Sequence, residues 1–183
     1  MELVSRLARE PWTDRPACVH PVLSAVARAV HDHSSSAGRR ELLPLAPLFL
    51  HTARPGFDSS GRLVALCVST ALAGGELAGD ERRRLRAAHQ TALHLLATTE
   101  GTPPATEQGP GGAARFWLPA LGRWSEPFYR TFVAPEQAAE AVAVTARTAN
   151  DVRLKSLLKL CLAAQGAVRP NPSCSASAQK SGS

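Results

Sequence analysis

The chain has 183 residues, enough for one fully cored domain and short for two independent ones. It is 44% hydrophobic but only 5% aromatic, so its core must be built from Leu, Val and Ala, which favours packed helices over a β-sandwich. A net charge of +6 would ordinarily suggest an acidic partner, but only Lys155, Lys159 and Lys180 among the 21 basic residues are lysine; with the abundant Ala and Gly, this arginine bias reads as GC-rich coding and weakens the case for nucleic acid.

No apolar run approaches the ~20 residues of a membrane span, and the start "MELVSRLARE" lacks the basic-then-apolar order of a secretory signal, so the expectation is a cytoplasmic protein. The four cysteines (Cys18, Cys67, Cys161 and Cys174) are widely spaced without a C-x-x-C pair, so reduced thiols are expected.

In chain order, "ELVSRLAR" places Leu3, Val4 and Leu7 at helical spacing ahead of Pro11. "HPVLSAVARAVHDH" puts Pro21 in a favourable first turn and predicts a buried stripe through Val22, Val26, Ala29, Val30 and His33. Ser34 to Ser36 offer N-caps for "AGRRELL", and Pro44 and Pro47 predict a kinked apolar segment after it. Ser59 or Ser60 is placed to cap "RLVALCVSTALA", which is apolar almost all round and reads as central. Asp80 is expected to cap "ERRRLRAAHQTALHLLA", whose Leu85, Ala88, Ala92 and Leu96 share a face.

Residues 99–114 combine Pro, Gly and Thr and read as a flexible linker. The aromatics Phe116, Trp117, Trp124, Phe128, Tyr129 and Phe132 follow, in a stretch that Pro119 and Pro127 keep from being one continuous helix. Pro135 with Glu136 opens "PEQAAEAVAVTARTA", and Asp151 is expected to cap "DVRLKSLLKLCLAAQ". No strand-like alternation occurs. The expected fold is all-α, a compact bundle of about seven helices, some short and Pro-kinked. One domain would span 1–168, its halves 1–98 and 115–168 joined by the linker, with a disordered tail at 169–183.

Zinc takes three or four His, Cys or carboxylate ligands, which directs attention to Cys18, His20, His31, Asp32 and His33. His20 and His31 are the candidate metal ligands, and His31 with Asp32 the candidate catalytic pair. However, His31 and His33 lie about 200° apart around a helix and cannot share an ion unless it unwinds. The local alternative pairs Arg28 with Asp32 four residues on. His89 and His94 are five apart, the wrong spacing for a joint site, and would meet His51 only through the tertiary fold. The zinc-protease H-E-x-x-H, the G-x-S-x-G nucleophile motif and the phosphate-binding G-x-x-x-x-G-K-[ST] do not occur.

Arg82, Arg83, Arg84 and Arg86 spread around most of a turn behind Asp80 and Glu81, a pattern better suited to a solvated helix start than to a nucleic-acid face. Trp117, Trp124 and Phe128 are expected to anchor the core or to line an apolar pocket. Two related hexamers, "ARAVHD" and "ARTAND", each place Asp four residues after Arg. Each is read as a local ion pair, Arg28 with Asp32 and Arg147 with Asp151; the functional alternative is a pseudo-repeat that brings two carboxylates together.

The span from "PWTDRPACVHPVLSAVARAVHDHSSSAGRRELLPLAPLFL" through "LVALCVSTALAGGELAGDERRRLRAAHQTALHLLA" resembles small Ala- and Arg-rich actinobacterial proteins. The resemblance covers about the first half of the chain and implies no particular activity. The leading expectation is a non-enzymatic helical interaction or accessory module whose partner is another protein, with neither nucleic acid nor membrane involved. The rival is a small helical enzyme or metal-binding protein that uses His20, His31 and Asp32 beside a Trp-lined pocket. No cofactor is identified by the sequence.

Overall fold

The computed structural model describes residues 1–53, 59–74, 77–99 and 125–166, and among these the fold is all-α, with no strand. Most of the expected linker, Trp117, Trp124 and the expected tail lie outside the described residues.

Helix α1 (Glu2–Leu7) stops four residues before Pro11. Arg9 then takes a left-handed backbone, φ 58°, and the Glu10 amide donates to the Ser5 carbonyl at 2.9 Å. Helix α2 (Pro21–His33) begins at the proline, whose missing N–H costs nothing in a first turn. Val22, Val26 and Val30 are fully buried, but His33 is exposed and leaves the stripe it was expected to continue.

Ser35 caps α3 (Ser36–Leu42), its hydroxyl accepting from the Gly38 amide at 3.1 Å. The Pro44 and Pro47 segment tightens into a 3₁₀ helix, Leu43–Phe49, which suits a stretch interrupted by residues without an N–H.

Helix α4 (Ser60–Leu72) buries Leu63, Val64, Cys67, Val68 and Ala71, and α5 (Gly79–Thr99) covers it with Leu85, Ala88 and Ala92. Helix α5 starts at Gly79, so Asp80 sits in its first turn rather than at the cap. Gly61 is needed where these helices cross, since a Cβ there would lie 2.9 Å from the Ala92 carbonyl oxygen.

Helix α6 (Ser125–Phe128) runs through a widened π turn, Tyr129–Val133, into α7 (Ala134–Ala146). Pro135 had been expected to open a fresh helix. Instead, the Ala134 amide reaches back five residues to the Tyr129 carbonyl, and the wider turn accommodates a proline that removes the next bond and crowds the carbonyl behind it.

Asn150, not Asp151, caps α8 (Asp151–Ala164), its side chain accepting from the Arg153 amide. Leu154, Leu157, Leu158 and Leu162 of α8 are buried, each worth ~1.5–3 kcal/mol relative to exposure.

Helices α2, α7, α4 and α5 pack side by side in that order, and α8 lies against α2 and α4. Ser60 meets His20 at the starts of α4 and α2, and Thr148 meets Gly74 just beyond the ends of α7 and α4, so these three helices run the same way. Helix α8 runs the opposite way, with Asp151 at the end of α2 and Gln165 at the start of α4.

Candidate functional site

The parallel course of α2 and α7 leaves a groove of about 1060 Å³ along their outer side. Small side chains keep it open: Ala25 and Ala29 on α2 face it with Ala139 and Ala143 on α7. The same helices turn Val22, Val26, Ala138 and Val142 into the core, so the one-sided spacing that buries them also fixes which residues line the groove.

One end is built by the loop before α2, which Glu10 holds by accepting from the Ala17 and Cys18 amides at 2.8 and 3.0 Å. Arg28 fastens the same loop, donating to the Asp14 carbonyl at 3.0 Å and lying 3.7 Å from its carboxylate. This corrects the expected Arg28–Asp32 pair.

The loop brings Arg15 to the groove, and the π turn brings Arg130. Glu136, in the first turn of α7, stands at this same end, Arg28 and Glu140 come farther along, and Asp32 with His33 stands at the far end of α2. The groove is therefore of mixed charge, with arginines concentrated at its start and a carboxylate at its finish. Glu140 is bridged at 3.3 Å to Arg84 of α5. On one lip stands Phe132, 59% exposed, and Phe128, 58% exposed, packs against it from outside the groove with ring centroids 5.2 Å apart. These two form a surface pair, and Tyr129 between them is the aromatic that enters the core.

The other sequence candidates scatter. His20 precedes α2 and is completely buried, its amide donating to Thr52 Oγ1 at 3.1 Å and its ring meeting Ser60 Oγ at 3.4 Å. Beside it Gln165 donates to Ser59, and all four neighbours are buried. His31 lies at the far end of α2, about 16 Å away along the axis, exposed, with Nδ1 3.2 Å from Asp32 Oδ1. His20 and His31 are thus not brought together. His89 meets Ser69 at 3.1 Å across α4 and α5, and His94 is exposed. Among the described residues, no three His, Cys, Asp or Glu side chains gather to hold a metal ion.

The two hexamers also resolve into long-range pairs. Arg147 forms a two-pronged bridge to the largely buried Glu81 instead of reaching Asp151. Asp151 accepts from the hydroxyl and amide of Ser35. Those bonds, Ser35 Oγ first and the amides of Ser35 and Gly38 with it, hold the Asp151 carboxyl below its ordinary range against a small opposing effect of burial.

Compared with protein-family models, curated proteins and solved structures, the chain has no match.

The groove itself was missed from sequence because its lining alanines give no signal apart from ordinary helix composition. The charge order could have been read only once α2 and α7 were known to be parallel neighbours.

Proposed function

We propose that the protein is a non-catalytic helical interaction module whose α2–α7 groove takes an amphipathic helix from a partner protein. The observation that carries this reading is the groove's composition: an alanine floor, a phenylalanine lip, and arginines concentrated at its start with a carboxylate at its finish. An alanine floor admits the close approach of a helix, and helix-in-groove recognition uses apolar anchors at three- and four-residue spacing. Exposed phenylalanines supply the aromatic area that central interface contacts favour. Opposite charges at the two ends would set the direction of the bound segment more than its affinity. The partner helix would carry acidic side chains toward Arg15 and Arg130, and basic ones toward Asp32 at the far end.

Besides its arginines the groove wall offers Asp32, His33, Glu136 and Glu140 as titratable groups without a cysteine, and the buried Ser60–His20 pair lies outside it. No helix among the described residues is long and apolar enough to cross a membrane, so the groove is read as a surface for another protein.

The test places a photo-crosslinking residue at Ala29, identifies the captured segment by mass spectrometry, and measures binding of that segment as a synthetic peptide. A helical peptide with the stated charge order is expected. Ala139→Trp should fill the floor and weaken binding at least tenfold, and Arg130→Glu should weaken it in a salt-dependent way, both with unchanged helical circular dichroism. A captured segment without amphipathic helical spacing, or equal binding by both folded variants, would overturn the proposal.

A further inference from the structure

Cys67 in α4 and Cys161 in α8 stand with their sulfur atoms 3.8 Å apart, both fully buried and both free thiols. The contact joins the middle of the central helix to the last turn of the helix that closes the bundle. A disulfide needs sulfurs about 2.05 Å apart, so the two must approach by only ~1.8 Å, a movement that side-chain rotation and a small helix shift can share.

We propose that Cys67 and Cys161 form a latent intramolecular disulfide, made by exchange with a small disulfide oxidant when α8 opens, which fastens α8 to α4 once the bundle closes again. Opening is required because neither sulfur reaches solvent in the closed bundle. The bond to Cys161, reinforced by burial, pushes the Cys67 thiol well above the ordinary thiol range, so the attacking thiolate forms only after exposure. Opening must lift the buried Leu154, Leu157, Leu158 and Leu162 from the bundle and release three polar ties, Asp151 to Ser35, Lys155 to Glu41 and Gln165 to Ser59, so the exchange is slow in the closed bundle and speeds up as mild denaturant loosens α8. Cys18 is a poorer competitor, since partial burial and the neighbouring Glu10 carboxylate raise its thiol as well.

The exchange balances in two steps. One protein thiol loses its proton and attacks a sulfur of the oxidant, forming a mixed disulfide and expelling one thiolate, which takes up a proton. The second protein thiol, likewise deprotonated, attacks the protein sulfur of that mixed disulfide, closes the Cys67–Cys161 bond and expels the second thiolate. The protein gives up two electrons and two hydrogens, and the oxidant becomes two thiols.

The experiment incubates the reduced full chain with oxidised glutathione at mildly alkaline pH, alkylates the remaining thiols and maps peptides without reduction. The expected product joins the Cys67 and Cys161 peptides, forms faster in sub-denaturing urea, and melts ~5–10 °C higher until dithiothreitol reverses the gain. Cys67→Ala and Cys161→Ala should each abolish the link and the gain, whereas Cys18→Ser should keep both. Thiols that stay reduced even in urea, a stable glutathione adduct, a bridge through Cys18 or Cys174, or a linked protein that melts no higher would each overturn the proposal.

Discussion

The two ends of α2 carry the same residue type and live by different physics. At the start, His20 is enclosed by Thr52 and Ser60, next to the Ser59–Gln165 bond, where α2, α4 and α8 converge. At the finish, His31 and Asp32 meet each other in solvent with side chains 55% and 72% exposed. A polar contact removed from water leaves a costly vacancy when one member is deleted, and a contact made in water is replaced by water. The comparison teaches that sequence can list the histidines, but burial decides which of them the fold depends on.

The largest break in this comparison is His20→Ala. It removes a wholly buried ring and strips Ser60 of its neighbour, so the loss should approach the ~2–5 kcal/mol typical of large-to-small changes in a closed core. Chemical denaturation would register it as a lower midpoint. His31→Ala at the other end should move that midpoint by a small fraction of this amount, and equal losses would refute the contrast.

Gln165→Ala tests the same buried end from α8. It leaves the Ser59 hydroxyl without its donor inside the bundle, a change expected to cost ~1–3 kcal/mol. Combined with His20→Ala in a double-mutant cycle, it should give a non-additive loss if the convergence acts as one unit. Strict additivity would mean two independent contacts.

What the sequence displays is periodicity, and what it conceals is partnership. The valine stripe of α2, the Leu85, Ala88 and Ala92 face of α5 and the absence of strand alternation were all legible, because each depends on neighbours within a few turns. Every ion pair inferred locally from the hexamers instead found a distant partner: Arg28 took Asp14, Arg147 took Glu81, and Asp151 took Ser35, 116 residues away. Helical i,i+4 pairs are worth a few tenths of a kcal/mol, so tertiary contacts override them readily. The groove was concealed for a related reason: its floor is the side of α2 and α7 that does not enter the core, and alanine marks neither side.

At the solvent-exposed end Asp151 accepts from both the hydroxyl and the amide of Ser35. Because its partners favour the charged form, the folded state binds the proton less readily than the unfolded chain. The stabilisation is therefore complete above the ordinary Asp range and drains away as pH falls through the lowered folded value. Asp151→Asn should lower the melting temperature at neutral pH, with the gap to the wild type narrowing as the solution is acidified toward pH 3. Gly38→Ala should imitate this, since its Cβ would sit 2.5 Å from Asp151 Cγ and force the carboxylate off Ser35. A gap that persists unchanged into acid would assign the effect to shape instead of charge.

The smallest expected effect belongs to Asp32→Asn. The side chain keeps its size and can still accept from His31, and Arg28, the cation that would have made charge matter, is committed to Asp14 and Ser24. With both members of the His31–Asp32 pair mostly in water, the cost should not exceed ~0.5 kcal/mol and should shrink further in high salt. Asp32 also faces the groove, so the same change has a second readout. It should weaken a partner helix only at the end where basic side chains are expected, by a few-fold and in a salt-dependent way. A loss of stability comparable to that of His20→Ala would show that α2 is anchored at its exposed end after all. Unchanged stability with an abolished function independent of salt would instead return Asp32 to the catalytic role suggested by its position beside His31.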